Sequence, residues 1–142
     1  MSKAYWVNSM LQKIIEVEIE GLADLNKYVG SICIGKTYRN GDVLYVNDDG
    51  LLKPNKYFFM VTGQPQPLSG DGIVVGPEVE LEDDKWYNRD VISSVKQLGI
   101  HFLTIEDVRK WGQDNADVPS ISVTGVALEY YGETIKRAIG DE

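Results

Sequence analysis

The sequence predicts one α+β domain over residues 1–142, in which a mostly antiparallel N-terminal sheet, meander or Greek-key-like, precedes C-terminal helices. Three observations support this class. A length of 142 residues suits a single domain. Period-two alternation and hairpin-type turns fill residues 1–77, which we expect to be mainly β with one short helix. Helical spacing and helix-capping residues fill residues 78–142, which we expect to be mainly helical, with a late strand left open.

The first elements follow from hydrophobic alternation and from the positions of glycines. Residues 11–19 alternate apolar and glutamate side chains from Ile15 onward, which predicts a half-buried strand. Residues 22–29 place apolar side chains at helical spacing between Gly21 and Gly30, which predicts a short helix. Further strands are predicted over 31–38, 43–47, 57–62 and 73–75, the last as a short central strand.

Two hairpin turns are predicted between these strands. The Asn-Gly pair at 40–41 is the strongest short-range hairpin signal. The Asp-Asp-Gly run at 48–50 tolerates the positive φ angles of a second hairpin turn. A short strand at 51–52 is left open after that turn.

The second half of the chain carries helix signals. A helix is predicted over 83–98, capped at position 83 or 84 and ended by Gly99, because apolar residues recur at helical spacing within it. Residues 104–111 resemble a short helix that begins with a capping threonine. Residues 120–131 fit either a strand or a helix, and we favour a short strand followed by a terminal helix.

The composition is that of a globular chain, with 43% hydrophobic and 25% charged residues. Residues 1–60 hold seven of the 14 Lys and Arg and seven of the 22 Asp and Glu, so the net charge of −8 lies in residues 61–142. This acidic half argues against nucleic-acid binding, which depends on Lys and Arg. Because no apolar run has membrane-spanning length and no signal-peptide core is present, we expect a cytoplasmic protein without a membrane partner.

Residues 30–37, GSICIGKT, match the phosphate-loop pattern G-x-x-x-x-G-K-[ST]. A true phosphate loop joins a strand to a helix that follows it, and Lys36 would then reach the phosphates. Here the predicted helix precedes the motif and a hairpin turn follows it. Ile32 and Ile34 also suit a pleated strand better than a tight loop around an anion. We therefore expect a strand, and we interpret the match as accidental.

The sequence offers no evident catalytic or metal-binding set. His101 is the single histidine and Cys33 is the single cysteine, so neither has a partner of its own kind for a metal or a nucleophile. We therefore expect a protein that is not an enzyme and that has no catalytic residues, no metal site and no cofactor.

Aromatic and basic residues interleave at two places, Lys85 to Arg89 and Arg109 to Trp111. Aromatic faces stack on nucleobases and arginine forks bind phosphate oxygens, so such residues together can hold a nucleotide. The alternative is a structural role, in which these aromatic residues are core or dimer contacts. The candidate ligand-binding residues are Trp86, Tyr87, Arg89, Arg109 and Trp111.

The order of signals over residues 11–78 resembles small phage and plasmid proteins of a family of largely unknown function. It is carried by Tyr-Val-Gly, the Asn-Gly and Asp-Gly turns, Leu-Leu-Lys-Pro-Asn-Lys and Gly-Asp-Gly-Ile-Val-Val-Gly. Among small phage proteins with an antiparallel sheet and C-terminal helices, the chain also looks like the viral anti-Thoeris sponges. That resemblance implies a homo-oligomer that sequesters a cyclic ADP-ribose isomer at a subunit interface, between aromatic and arginine side chains.

The leading hypothesis is therefore a non-enzymatic bacteriophage anti-defence protein. It would bind a small cyclic nucleotide signal in the host cytoplasm and so inhibit Thoeris-like immunity, a form of immune evasion in the host–virus interaction. The first alternative is a protein–protein inhibitor that docks on a host factor through its acidic second half. The second is an NTP-binding enzyme with a phosphate loop.

Overall fold

The computed structural model describes residues 1–49, 54–81, 85–121 and 128–140, and every structural statement below concerns these ranges. The helices are α1 (Leu22–Val29), α2 (Ile105–Asp114) and α3 (Tyr131–Ile139), with a 3-10 helix over Lys96–Leu98. The strands are β1 (Ser2–Asn8), β2 (Lys13–Ile19), β3 (Ile32–Thr37), β4 (Val43–Asn47), β5 (Phe58–Val61), β6 (Leu68–Ser69), β7 (Gly72–Val75), β8 (Glu78–Leu81), β9 (Lys85–Asn88), β10 (Ile100–Leu103), β11 (Pro119–Ile121) and β12 (Leu128–Tyr130).

The largest sheet has five strands in the order β2-β1-β7-β4-β3, and all neighbours are antiparallel. Strand β7 lies at its centre, and all four of its residues are buried. A continuous apolar run is what a strand covered on both faces requires. The predicted α+β class with a mostly antiparallel sheet is therefore confirmed, as is the short central strand near 73–75.

A second sheet of three strands, in the order β10-β5-β6, packs on one face of the first. The interface between the sheets buries Val7, Leu44, Val46, Phe59, Val61 and Val74. The opposite face of the five-stranded sheet packs on α1 and buries Ala4, Ile19, Leu25, Val29, Ile73 and Val75. Because side chains alternate along a strand, β7 sends Val74 to one layer and its neighbours to the other.

The helices α2 and α3 cover the outer face of the second sheet. Phe58 of β5 is buried there with Val108 of α2 and with Ile135 and Ala138 of α3. A Cβ atom at Gly112 would lie 2.8 Å from Ile135 Cγ2, so a glycine is needed for the two helices to approach this closely. The layers therefore run α1, five-stranded sheet, three-stranded sheet, helical pair.

The predicted helix over 83–98 is wrong. The structure instead has an antiparallel hairpin of β8 and β9, a coil, and the 3-10 helix, which Gly99 ends with a left-handed φ of 66°. The backbone N–H groups of the coil bond to distant partners: Val91 N to Lys3 O, Ile92 N to Asp42 Oδ1 and Ser93 N to Asp42 Oδ2. These tertiary bonds take the donors that a helix would use internally.

Other predictions have mixed outcomes. The strand near 11–19 and the helix over 22–29 are confirmed, and so are the strands and the Asn-Gly turn over 31–47. The helix from 104 is confirmed with a capping box, although it continues past Trp111 to Asp114. The second hairpin predicted at 48–50 is wrong for the described strands, because β4 has β3 and β7 as its two neighbours; Gly50 itself lies outside the described residues.

The C-terminal region bears out part of its prediction. A short strand, β11, is present and a terminal helix, α3, ends the described chain. A further strand, β12, pairs with β11 and leads directly into α3. Residues 50–53, which include the strand left open at 51–52, lie outside the described residues. Within the described ranges, no helix has both the length and the apolar character that crossing a bilayer requires.

Candidate functional site

The phosphate-loop match lies on a strand. Residues 32–37 form β3, which pairs with β4 and has a bulge between Ile34 and Lys36. The Lys36 ammonium donates to the Thr62 carbonyl oxygen at 3.1 Å and lies 4.9 Å from the centre of the Tyr38 ring. The backbone is extended and no helix follows it, so these N–H groups cannot wrap a phosphate. The expectation that this motif is a strand is confirmed.

The predicted residues near the β8–β9 hairpin lie beside the start of the chain. The backbone of Trp86 pairs with Glu80, while its side chain is outside what the structure describes. The Tyr87 ring is 37% exposed, and Arg89 is exposed just after β9. Ser2 Oγ donates to the Asn88 carbonyl oxygen, which ties this hairpin to β1. Tyr87 and Arg89 are therefore exposed in and just after a hairpin, and the predicted helix is absent there.

The two predicted residues on α2 point to different surroundings. Trp111 packs edge-on against Tyr131, with ring centres 4.8 Å apart, so it belongs to the core between α2 and α3. Arg109 lies 3.1 Å from Glu106 Oε1 and lines a cavity of about 730 Å³ between the two helices. Neither Tyr87 nor Arg89 lines this cavity.

Charges in this cavity between α2 and α3 are mixed. Its described lining carries the cations Arg109 and Lys136 and the carboxylates Asp117 and Glu133. An anionic ligand gains little from equal numbers of cations and carboxylates around it. The cavity is therefore a weaker candidate for nucleotide capture than its volume suggests.

A second cavity, of about 480 Å³, lies where the chain crosses from the second sheet to the first. We call it the intersheet cleft. It is bounded by the ends of β1, β4 and α1, the segment before β5, and the β6–β7 connection. Its described lining is Trp6, Asn8, Met10, Tyr28, Val29, Asn47, Asp49, Pro54, Asn55, Tyr57, Ser69, Gly70 and Asp71. Its volume is within the range of about 300–1,000 Å³ typical of small-molecule sites.

Two aromatic rings form one side of the intersheet cleft. Trp6 of β1 and Tyr28 of α1 are partly buried, with ring centres 5.3 Å apart and planes inclined at 55°. Trp6 also donates from Nε1 to Asp71 Oδ2 at 3.2 Å, which fixes the orientation of the indole. The indole is thus held at its edge by Asp71 while it packs on Tyr28, and the pair contributes aromatic surface to the cleft.

Amide side chains hold the loops around the intersheet cleft. Asn47 Nδ2 donates to the Val29 carbonyl oxygen at 2.8 Å, and its Oδ1 accepts from Asp49 N at 2.8 Å. Asn55 Oδ1 accepts from Tyr57 N at 3.0 Å. The Asn47 bonds connect the end of α1 to the end of β4, and the Asn55 bond holds the turn before β5. The walls are therefore set by hydrogen bonds that exist before any ligand binds.

Ser69 places a buried hydroxyl at the wall of the intersheet cleft. The residue is 3% exposed, and its Oγ has no hydrogen-bond partner among the described residues. Burying a hydroxyl without a partner costs about 1–3 kcal/mol, so such groups are normally satisfied by protein, water or ligand. Ser69 therefore lines the cleft as a residue, while its hydroxyl is enclosed by the surrounding protein.

Asp71 gives the intersheet cleft a fixed negative charge. Its carboxylate accepts from Trp6 Nε1 and, at 3.0 Å, from Ser9 N, so it is anchored on both oxygens. Asp49 is a second carboxylate of the lining. No Lys or Arg is found among the described lining residues. The cleft thus combines aromatic faces, a buried hydroxyl and negative charge.

The sequence contained signals for the intersheet cleft that were interpreted differently. Asp-Asp-Gly at 48–50 was predicted as a hairpin turn, Gly-Asp-Gly at 70–72 belongs to the segment that carries the resemblance, and no element was predicted at Trp6. Gly70 has a left-handed φ of 82°, which is a turn requirement. Only the three-dimensional packing brings these turns together with an aromatic pair.

His101, the single histidine, lines neither cavity. His101 Nε2 lies 2.9 Å from Thr62 Oγ1 on the surface, beside the Gly99 carbonyl oxygen that the same hydroxyl contacts. Among the described residues, no three His, Cys, Asp or Glu side chains cluster as metal ligands would.

Comparison of the chain with protein-family models, curated proteins and solved structures finds no match. The resemblance to phage proteins therefore stays a prediction.

Proposed function

We propose that the protein is a non-catalytic binding protein that captures a small nucleotide-type ligand in the intersheet cleft. One observation carries the proposal: the Trp6–Tyr28 pair lines a cavity of small-molecule size together with polar residues, among them Asn47 and Asn55. Aromatic faces with a few convergent polar groups are the usual composition of a small-molecule site.

Capture without turnover requires tight binding. A nanomolar dissociation constant corresponds to about −12 kcal/mol, whereas stacking one base contributes about 1–3 kcal/mol. Hydrogen bonds and the exclusion of water must supply the remaining binding free energy. A second copy of the chain that covers the open side of the cleft would exclude water, which is why we propose a homo-oligomer.

The narrower proposal follows from the resemblance to viral sponges. In it, the ligand is a cyclic ADP-ribose isomer and its removal blunts a host immune signal. The cavity between α2 and α3 is the alternative place for the phosphates, although Asp117 and Glu133 offset the charge of Arg109 and Lys136 there. Mutations in the intersheet cleft and in the cavity between α2 and α3 show which of the two binds the ligand.

The test is calorimetric titration of the full chain with nucleobases, nucleosides, nucleotides and cyclic ADP-ribose isomers. We expect Trp6→Ala or Tyr28→Ala to weaken binding by at least tenfold. Tyr87→Ala is the matched control, because its ring is exposed away from the intersheet cleft, and it should leave affinity unchanged. Circular dichroism confirms that each variant folds.

Two results would contradict the proposal. If Arg109→Ala abolishes binding and Trp6→Ala does not, the ligand site is the cavity between α2 and α3. If no compound in the panel binds, and mass spectrometry finds no nucleotide in denatured protein that was incubated with an extract of defence-activated cells, capture is excluded.

A second candidate function is inhibition of a host protein through the acidic half of the chain. The β8–β9 hairpin, which includes Glu78, favours this function. It forms a separate two-stranded sheet, and Tyr87 within it and Ile92 after it are exposed. This candidate predicts binding that weakens strongly with salt and is lost in Glu78→Gln, while Trp6→Ala has no effect.

A further inference from the structure

We infer that Asn40 is a site of spontaneous covalent modification, deamidation, and that the folded chain protects this site through Ser93. The site lies in the turn between β3 and β4, and it does not depend on the ligand of the proposed function. Asn40 and Gly41 are the single Asn-Gly pair of the sequence, and the Asn40 side chain is exposed to water.

Deamidation at an Asn-Gly pair uses the chain's own backbone as the nucleophile. The Gly41 nitrogen attacks the side-chain carbonyl carbon of Asn40, and the new C–N bond closes a succinimide ring. The Cγ–Nδ2 bond breaks, and the proton lost from the Gly41 nitrogen leaves with the ammonia that is released. Water then opens the ring and leaves aspartate or isoaspartate at position 40. Glycine favours the attack because it has no Cβ atom to hinder the approach.

Hydrogen bonds oppose this attack in the folded chain. The Gly41 N–H donates to the Tyr38 carbonyl oxygen at 3.0 Å, so the nitrogen is held in its protonated form. Asn40 Oδ1 accepts from Asp42 N at 3.0 Å, and Asn40 Nδ2 donates to Ser93 Oγ at 2.8 Å. The nucleophile and both ends of the amide are therefore engaged, and a local opening must release them before the ring can close.

Ser93 is the part of this protection that comes from a distant segment. The residue is 3% exposed, and its Oγ both accepts from Asn40 Nδ2 and donates to Asp42 Oδ2 at 2.6 Å. The bonds to Tyr38 and Asp42 lie within the turn itself, so they do not depend on the rest of the fold. Loss of the Ser93 hydroxyl should therefore release the amide nitrogen of Asn40 while the turn stays in place.

Deamidation would separate the turn from the coil that contains Ser93. The single hydroxyl proton of Ser93 is donated to Asp42, so an aspartate at position 40 would set one acceptor oxygen against another. It would also place a second negative charge beside the buried Asp42 carboxylate. Isoaspartate would lengthen the main chain at Gly41, where a Cβ atom would already lie 2.9 Å from Pro77 Cγ.

The experiment incubates the full chain in warm, mildly alkaline buffer and follows deamidation of the peptide that contains residues 40–41 by mass spectrometry. The samples are the folded wild type, the wild type unfolded in urea, and folded Ser93→Ala. We expect unfolding to speed the reaction by at least about tenfold, because it removes the need for a local opening. Ser93→Ala should speed it by about fivefold to tenfold, the effect of one lost hydrogen bond on the opening equilibrium.

Two variants control for indirect effects. Ser94→Ala removes the neighbouring exposed hydroxyl, which accepts from Gln97 N, and should leave the rate unchanged. Ile135→Val trims a buried side chain between α2 and α3, so it lowers the global stability without altering the turn. If Ile135→Val speeds deamidation as much as Ser93→Ala, the protection is global and the role of Ser93 is overturned. Equal rates in Ser93→Ala and the wild type would overturn it as well.

Asn40→Asp reproduces the aspartate product and tests its effect on the fold. We expect its melting temperature to lie several degrees below that of the wild type. This cost should shrink in a Ser93→Ala background, because the facing acceptor oxygen is gone. A melting temperature equal to that of the wild type would overturn the effect of the modification. A folded wild type that deamidates as fast as the unfolded chain would overturn the inference as a whole.

Discussion

The Asp42 carboxylate accepts hydrogen bonds from both the backbone N–H and the hydroxyl of Ser93, at 2.7 and 2.6 Å, across 51 positions of sequence. Asp42 is fully buried and also accepts from Ile92 N at 3.0 Å. Asn40 joins the same network, because its Nδ2 donates to Ser93 Oγ at 2.8 Å. These bonds join the Asn-Gly hairpin turn to the coil at Ile92 and Ser93, where a helix had been predicted.

Removing the charge of Asp42 is expected to destabilise the fold strongly. Asp42→Asn replaces one acceptor oxygen with a donor that faces other donors, and we expect a loss of about 2–4 kcal/mol in unfolding free energy. Ser93→Ala should cost about 1–2 kcal/mol. Urea denaturation measures both. Asp48→Asn, at an exposed site, is the control and should stay within about 0.5 kcal/mol. An Asp42→Asn variant as stable as this control would contradict the role of the network.

Lys36→Ala is expected to leave the response to Mg-ATP unchanged. Lys36 lies on a strand, where it donates to the Thr62 carbonyl oxygen and lies over the Tyr38 ring. Losing these exposed contacts should cost less than about 1 kcal/mol. Thermal unfolding with and without Mg-ATP provides the measurement. A stabilisation by Mg-ATP that is present in the wild type and absent in Lys36→Ala would restore the phosphate-loop interpretation.

Alkaline pH is expected to weaken the contribution of Tyr38. Burial, and then the nearby charge of Asp42, raises the pKa of Tyr38 from 10.0 to about 12, and its hydroxyl donates to the Leu98 carbonyl oxygen at 2.7 Å. The folded state holds this proton more tightly than the unfolded state. The contribution is therefore fully present below pH 10 and is lost as pH rises through about 12.

The comparison for Tyr38 is the unfolding free energy of the wild type and Tyr38→Phe between pH 8 and the alkaline limit. The advantage of the wild type should be constant below about pH 10 and should shrink above it. A difference that stays constant throughout would show that the phenol ionises equally in both states.

Acid is expected to remove the contribution of Glu129, which joins β12 to α3. Arg137 donates to both carboxylate oxygens, at 2.7 and 2.8 Å, and this pairing lowers the pKa of Glu129 below its usual 4.5. A lowered folded pKa means that the contribution is present above pH 4.5 and is lost as pH falls through the folded value.

Glu129→Gln should lower the unfolding free energy by about 0.5–1 kcal/mol at pH 7, a modest value because the pair is partly exposed. The difference from the wild type should disappear in acid. A double-mutant cycle with Arg137→Met isolates the pair, since Glu129→Gln should then cost little. Equal costs in both backgrounds would assign the effect to Thr134, which also donates to Glu129.

Alternation and turn chemistry predicted most of the sheet correctly, because those signals are local. Ile15 to Ile19 alternates on a half-buried edge strand, and the Asn-Gly turn needs only its own residues. The predicted helix over 83–98 failed because local spacing competed with distant partners. Asp42, which captures the N–H groups of Ile92 and Ser93, is far away in sequence.

The ligand-binding prediction illustrates the same limit. Tyr87 and Arg89 were grouped with Arg109 on composition alone, whereas the described residues place the hairpin and α2 in different surroundings. The intersheet cleft depends on Trp6, Tyr28 and Ser69, which come from three separate elements. No spacing rule along the chain brings such residues together.

The β6–β7 connection has a mechanical consequence. Ser69 ends a strand of one sheet and Asp71 precedes the central strand of the other, so the two lining residues belong to different sheets. A molecule bound between them would contact both sheets and hold them together. Amide hydrogens of β6 and β7 should then exchange with solvent more slowly, at a pace governed by ligand departure.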